Sequence, residues 1–353
     1  MIRNTMTSFL VLFSLVACGS GSNSTSLSSN ASTPPSNTPP EVVSAESWQL
    51  TSGPTDNRIT RLVINSNSQT IFAGTSDGIY KSVIGSNTWT AINASSPFGY
   101  VSTLCIDPSN VQTMYAGTYA GFYKSIDGGN SWSNTSNNLV GSVTTVVIDP
   151  NDSNTLYVSK EGTGGFGLYK SVNGGLSWSS IGDTFPPLTF IRSLAIDPTN
   201  TQVIYAGRHS GGILKSIDGG TSWTDVNNGL PTDVYMNYLA IDPSNSQTIY
   251  VATNGSGVYK SMNGGSSWSA TGSTLAYSFP FALAIDPAHP QTVYAGMYYS
   301  GAFKSTDGGD TWVQVNTGTG PTSIWTLAID TTVPRAIYGG TEDGKVFIGS
   351  LSN

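Results

Sequence analysis

The chain has 353 residues, a net charge of −7 and only 10% charged residues, against a usual share of about 25%. Fourteen lysines and arginines form no basic stripe, which argues against nucleic acid as a partner and against a basic membrane-binding face. Serine, threonine, asparagine and glycine carry the polarity instead.

The first predicted element is an apolar run from Phe9 to Ala17, preceded by Arg3. It is too short to span a bilayer, so 1–17 reads as a signal peptide. The run ends in Leu15-Val16-Ala17-Cys18, which resembles the lipobox of bacterial lipoproteins. The resemblance implies cleavage after Ala17, lipid on Cys18 and anchoring in a bacterial cell envelope. Gly19 and Ser20 follow without an acid, which resembles the outer-membrane sorting pattern of Gram-negative cells. Residues 18–44 are rich in Ser, Asn, Thr and Pro and read as a flexible tether, leaving 45–353 as the folded domain. The second cysteine, Cys105, has no disulfide partner once Cys18 is acylated. It occupies a slot held by alanine in other repeats and is expected to be small, buried and unreactive.

From residue 59 a unit of about 44 residues recurs. Each copy has an apolar run closed by Asp-Pro, as in "RSLAIDP", then a "YAG" segment, a "YKS" segment and a Ser-Trp segment. Trp89, Trp132, Trp178, Trp223, Trp268 and Trp312 mark the last of these. Four short strands per unit, with apolar residues on both faces, require sheets covered on both sides. Sheets stacked around an axis meet that need, and the expected fold is an all-β, seven-bladed propeller of four antiparallel strands per blade. Blade starts fall at Ile59, Val101, Val143, Ile191, Met236, Pro280 and Ile324. The seventh copy lacks its Trp strand, and "SWQLTSG" around Trp48 supplies one, closing the ring from the N-terminal side.

The stretch "YKSIDGGNSW" and its copies resemble the Asp-box, or BNR, repeat. That repeat is found in sialidases, xyloglucan-type glycoside hydrolases, sortilin-type receptors and the photosystem II assembly-factor family. The resemblance implies that the motif is a turn between third and fourth strands. Asp127, Asp218 and Asp307 are then turn acceptors, and Asn173 and Asn263 replace them in two copies. An amide cannot be a nucleophile, so none of the five is read as catalytic. The lysines before each box serine read as solvated, locally paired side chains near the rim. The Asp-Pro turns are Asx turns, and no metal or cofactor is expected.

Function in a repeat protein lies where the repeats differ. Aromatic rings gather in the loops opposite the Asp-box face, including Tyr119, Phe185, Tyr235, Phe281, Tyr298 and Tyr299. Arg192, Arg208 and His209 add donors, and acids such as Asp183 are interspersed. Trp325 is the one tryptophan outside the repeat register. Its counterparts are Thr60, Ser102, Thr144, Arg192, Asn237 and Phe281, which should ring the mouth of the central channel. Rings with polar neighbours suit a glycan or a protein surface. The expected function is a monomeric, non-catalytic binding or assembly module for a glycan or an envelope protein. A sialidase-like or xyloglucanase-like glycosidase is the alternative, with a purely structural envelope lipoprotein as the third reading. For the sialidase, the resemblance points to Arg58, to Asp77 as acid and to Tyr298 or Tyr299 as nucleophile. Thr60 stands where that family has proline, and after Arg208 the only arginine is Arg335.

Overall fold

The computed structural model describes residues 48–54, 57–86, 88–92, 98–162, 166–182, 189–315, 323–332 and 335–351. The signal segment, the tether, Cys18, Asp183 and Phe185 lie outside the described residues. The rest forms seven four-stranded antiparallel sheets. The first strand of blade two, Val101–Ile106, ends at buried Asp107. The Asp107 carboxylate accepts the Ser109 N–H at 2.9 Å and the Asn110 N–H at 3.3 Å, so the chain reverses where Pro108 could not have paired. The second strand, Met114–Thr118, is buried at every position, as a strand covered on both faces must be. The third, Gly121–Ser125, leads into the repeat turn, and Ser133–Asn134 forms an exposed outer edge. First strands pack side by side around the ring, and Ile324–Asp330 packs against Ile59–Asn65.

The core is divided among the seams between blades. Seven apolar clusters fill the seven seams, including the one between blades seven and one. Each repeat tryptophan sits immediately before its outer strand and fills the seam with the preceding blade. Trp268 belongs to the seam of blades four and five, and Trp312 to that of five and six. In some blades the indole N–H reaches back to that blade: Trp268 Nε1 donates to Val226 O at 2.8 Å and Trp89 Nε1 to Ser52 O at 2.9 Å, whereas Trp132 Nε1 donates to Gly129 O in its own turn at 3.2 Å.

Trp48 obeys the same rule. It precedes the strand Gln49–Thr51, which pairs with Val346–Ser350 and completes blade seven. Its indole is 7% exposed and lies in the seam of blades six and seven. Gly339 and Gly349 make room for it. A Cβ on Gly349 would lie 2.7 Å from Trp48 Nε1.

The repeat lysines correct the expectation made from sequence. Four of the six are tied to the neighbouring blade, while Lys81 bonds the exposed Asn130 side chain. Lys124, Lys215 and Lys260 donate to the carbonyls of Gly174, Gly264 and Gly308, each in the next blade, at 3.0, 2.8 and 2.8 Å. Tyr205 and Tyr250 hydroxyls donate to the same Gly264 and Gly308 carbonyls at 2.9 Å. A partner one period away is invisible to a local reading of charge. Cys105 also differs in part: it is half-buried rather than buried. Loss of solvent pushes its thiol up to about 12, with Arg61 opposing.

The repeat turn explains why Asp and Asn interchange. Asp127 Oδ1 accepts the Ser131 N–H at 2.9 Å, and Oδ2 accepts the Ser131 hydroxyl at 2.6 Å. Asn173 Oδ1 accepts the Ser177 N–H at 2.9 Å, but its Nδ2 donates to Ser177 Oγ at 2.8 Å. The hydroxyl reverses from donor to acceptor and the turn survives. Gly128 and Gly129, at φ +68° and +81°, supply its left-handed backbone.

These bonds carry a pH signature. Hydrogen bonds from Ser131 and Ser222 hold Asp127 and Asp218 at about 2. Asp307 sits at about 2 as well: burial opposes the shift, and bonds from Thr311 outweigh it. Unfolded aspartate titrates near ~3.9. A lowered folded value stabilises the protein above that pH, and the gain is lost as pH falls toward 2. The triple variant Asp127→Asn, Asp218→Asn, Asp307→Asn should therefore melt like the parent at pH 7. Its melting temperature should fall less steeply from pH 4 to pH 2.5. Parallel falls in both proteins would contradict this origin.

Candidate functional site

One irregularity repeats in all seven blades. The ladder between first and second strands skips one residue near the start of the first strand. Ile59 pairs with Thr75 and Arg61 with Gly74, which leaves Thr60 unpaired. The same skip leaves out Ser102, Thr144, Arg192, Asn237, Phe281 and Trp325. A bulge frees its residue from the ladder and re-aims its side chain. All seven border a single cavity of about 420 Å³. Off the ladder, the position holds small, polar, charged and aromatic residues in different blades while its neighbours repeat.

The flank on blades six and seven is aromatic. Phe281 and Trp325 have ring centroids 4.2 Å apart, and Tyr298 meets Trp325 edge-on at 6.1 Å. The Arg58 guanidinium lies 4.0 Å from the Trp325 ring centroid and pairs with Glu342 at 2.7 Å. Trp325 is half-buried. On the other side, Tyr119 stacks on Tyr100 at 4.5 Å, and both border the cavity with Glu161 and Phe190.

Arg192 Nη1 lies 3.3 Å from His209 Nδ1, and His209 stacks on Tyr235 at 3.9 Å. Burial, then the Arg192 charge, lowers the His209 pKa below its ordinary value, so the imidazole is neutral at pH 7. Neutral His209 can accept from Arg192 and hold it toward the cavity.

Two cavity residues escaped the sequence reading. Arg61 on blade one donates through Nη1 to the Tyr238 hydroxyl on blade five at 3.0 Å, a bond across the ring. One register position beyond the bulge, other blades carry Thr103, Thr145, Ser193, Ala282 and Thr326. The two outsized residues at that level were the available signal.

Other sequence-based candidates lie elsewhere. Arg208 forms an ion pair with Asp225 in its own blade and, like His209, Tyr235, Tyr298 and Tyr299, is not among the residues bordering the cavity. Asp77 accepts bonds from Thr75 and Asn57 in its loop and does not border the cavity either. The Tyr298 hydroxyl donates to Tyr299 at 2.7 Å, and that bond raises its pKa, the wrong direction for a nucleophile. Tyr299 is exposed with φ +60°, an uncommon backbone for a tyrosine.

The cavity residues are incompletely satisfied. Of the ten buried side-chain polar atoms without a partner among the described residues, five belong to it: Arg58 Nε, Arg61 Nε, Ser102 Oγ, Asn237 Oδ1 and Trp325 Nε1. Buried polar atoms are normally paired, so the cluster marks a place where a ligand or water completes the bonding.

No family model and no curated protein sequence matches the chain. Solved structures match its fold. An ancestral GH74 enzyme superposes with a TM-score of 0.71 at 19% identity, over 86% of this chain and 46% of that one. The chain thus spans about half the length of that enzyme. YCF48 from Cyanidioschyzon merolae superposes with a TM-score of 0.65 at 17% identity, over 86% of this chain and 98% of that one. A structure of YCF48 bound to a D1 peptide gives 0.66 at 16% identity, over 86% and 97%. Likeness at these identities establishes the seven-bladed propeller.

Proposed function

We propose that the chain is a non-catalytic binding or assembly propeller of a bacterial cell envelope. It is held to the membrane by lipid on Cys18 and takes a glycan or protein partner at the bulge-ringed cavity. The observation that carries this reading is the convergence of seven bulge side chains on one cavity with five partnerless buried polar atoms. The single-propeller plan of YCF48, which takes a D1 peptide, supports a binding role. Glycoside hydrolysis uses two carboxyl groups about 5–9 Å apart. Among the described residues bordering the cavity, Glu161 is the only carboxylate, which favours binding over the glycosidase.

The test is a glycan array run beside affinity capture from envelope extracts, with a panel of glycosides assayed for turnover. The expected result is reproducible retention of one partner class without hydrolysis. Turnover of any glycoside would replace this reading with the enzyme. Mass spectrometry of the N-terminal peptide should find Cys18 lipidated, and an unmodified cysteine would remove the anchor.

A further inference from the structure

The cavity carries more positive charge than its lining neutralises: Arg61 and Arg192 share it with one carboxylate, Glu161, whose charge acts on Arg192 without forming an ion pair. Arg61 and Arg192 border it from blades one and four, and neither forms an ion pair with a carboxylate of the described residues. Arg58, by contrast, has Glu342. A guanidinium withdrawn from water without a counter-charge is costly, and an anion entering the cavity would relieve that cost. The whole chain carries −7, so the attraction is local to the cavity, and a ligand with one acid group suits it better than a polyanion.

The partnerless atoms define the rest of the ligand. Asn237 is 8% exposed, and its Nδ2 donates to Pro280 O at 2.9 Å, which leaves Oδ1 without a donor. A carboxylate cannot supply that donor, but a hydroxyl can. Ser102 Oγ is open in the same way, and Trp325 Nε1 offers a further N–H. Phe281 and Trp325, with Arg58 over the Trp325 ring, give one flank of the cavity an aromatic surface, and the C–H face of a sugar ring suits such a surface. The cavity volume lies in the range of small-ligand pockets, about 300–1,000 Å³.

We propose that the cavity takes a hexuronate sugar at the end of a glycan chain. The carboxylate sits between Arg61 and Arg192, hydroxyls meet Asn237 and Ser102, and the ring stacks on Trp325. This rests on the binding reading above and names its ligand.

The experiment is calorimetric titration of the full chain in detergent with a disaccharide ending in glucuronic acid. The same disaccharide ending in glucose, and an acidic peptide, are titrated beside it. The acidic sugar should bind at least tenfold tighter than the neutral one at low salt, with the margin shrinking at 300 mM salt, about a twofold shorter screening length than at 75 mM. Arg192→Gln should abolish the preference and Arg192→Lys should keep part of it. Because Arg192 forms no ion pair with a carboxylate of the described residues and gives up only its contact with His209, the Gln variant should melt close to the parent. Equal binding of both sugars, no sugar binding at millimolar concentration, or a preference surviving in Arg192→Gln would overturn the hexuronate. Binding of the peptide alone would overturn it too, while leaving the binding reading intact. If the wider panel above also retains no partner, that reading fails with it.

Discussion

Deleting residues 45–52 is expected to lower the melting temperature by more than 10 °C and to make the protein aggregate. The loss has two parts. Removing Gln49–Thr51 strips its partner from Val346–Ser350 and exposes a sheet edge. Removing Trp48 empties the seam of blades six and seven. Truncating a buried indole costs about 3–5 kcal/mol. Trp48 Nε1 has no partner among the described residues, so Trp48→Ala reads the packing alone. A second pair of variants isolates the contact. Gly349→Ala drives a Cβ to 2.7 Å from the indole nitrogen and should destabilise the parent. In the Trp48→Ala background the same change should cost less, because the obstructing ring is gone and only Ile337 Cγ2, 3.0 Å from the Cβ, stays close. Thermal melts of the four proteins measure both effects. Additive losses, or a truncated chain that melts like the parent, would mean that the ring is not closed by this strand.

Much of the fold was legible in the sequence because it is written once per blade. The Asp-Pro turns, the buried "YAG" strands and the tryptophan spacing each recur, so one worn copy misleads little. Trp48 could be placed because it kept that spacing across the chain ends. The site was legible only where a residue broke the repeat. Trp325 stood out as an indole among Thr60, Ser102 and Thr144. The bulge that aims these residues leaves no mark in composition, since it is a skipped rung between two strands. Arg61 and Tyr238 meet across the ring through 177 residues of sequence separation, which no local pattern records. Arg208 lies off the cavity for a reason the sequence does not record. Its strand points it along its own blade, where Asp225 on the outer strand captures it. Four of the lysines were misread because their acceptors are backbone carbonyls one blade away, not side chains nearby.

The second large effect concerns Trp325, and it bears on the central claim that the bulge ring is the binding site. Its indole is half-buried, with Arg58 at 4.0 Å from the ring centroid, Phe281 at 4.2 Å and Nε1 open. Losing it removes an aromatic anchor worth about 1–3 kcal/mol of binding, or roughly 5- to 150-fold in affinity. The fold should lose little, because the seams are filled by the repeat tryptophans and Trp325 belongs to none of the seven core clusters. The most direct test measures partner affinity and melting temperature together on Trp325→Ala. The expected result is at least a fivefold loss of affinity with the melting temperature within about 5 °C of the parent, the scale of 1–2 kcal/mol in a domain of this size. A steep fall in melting temperature with affinity intact would make Trp325 a channel plug and contradict the account.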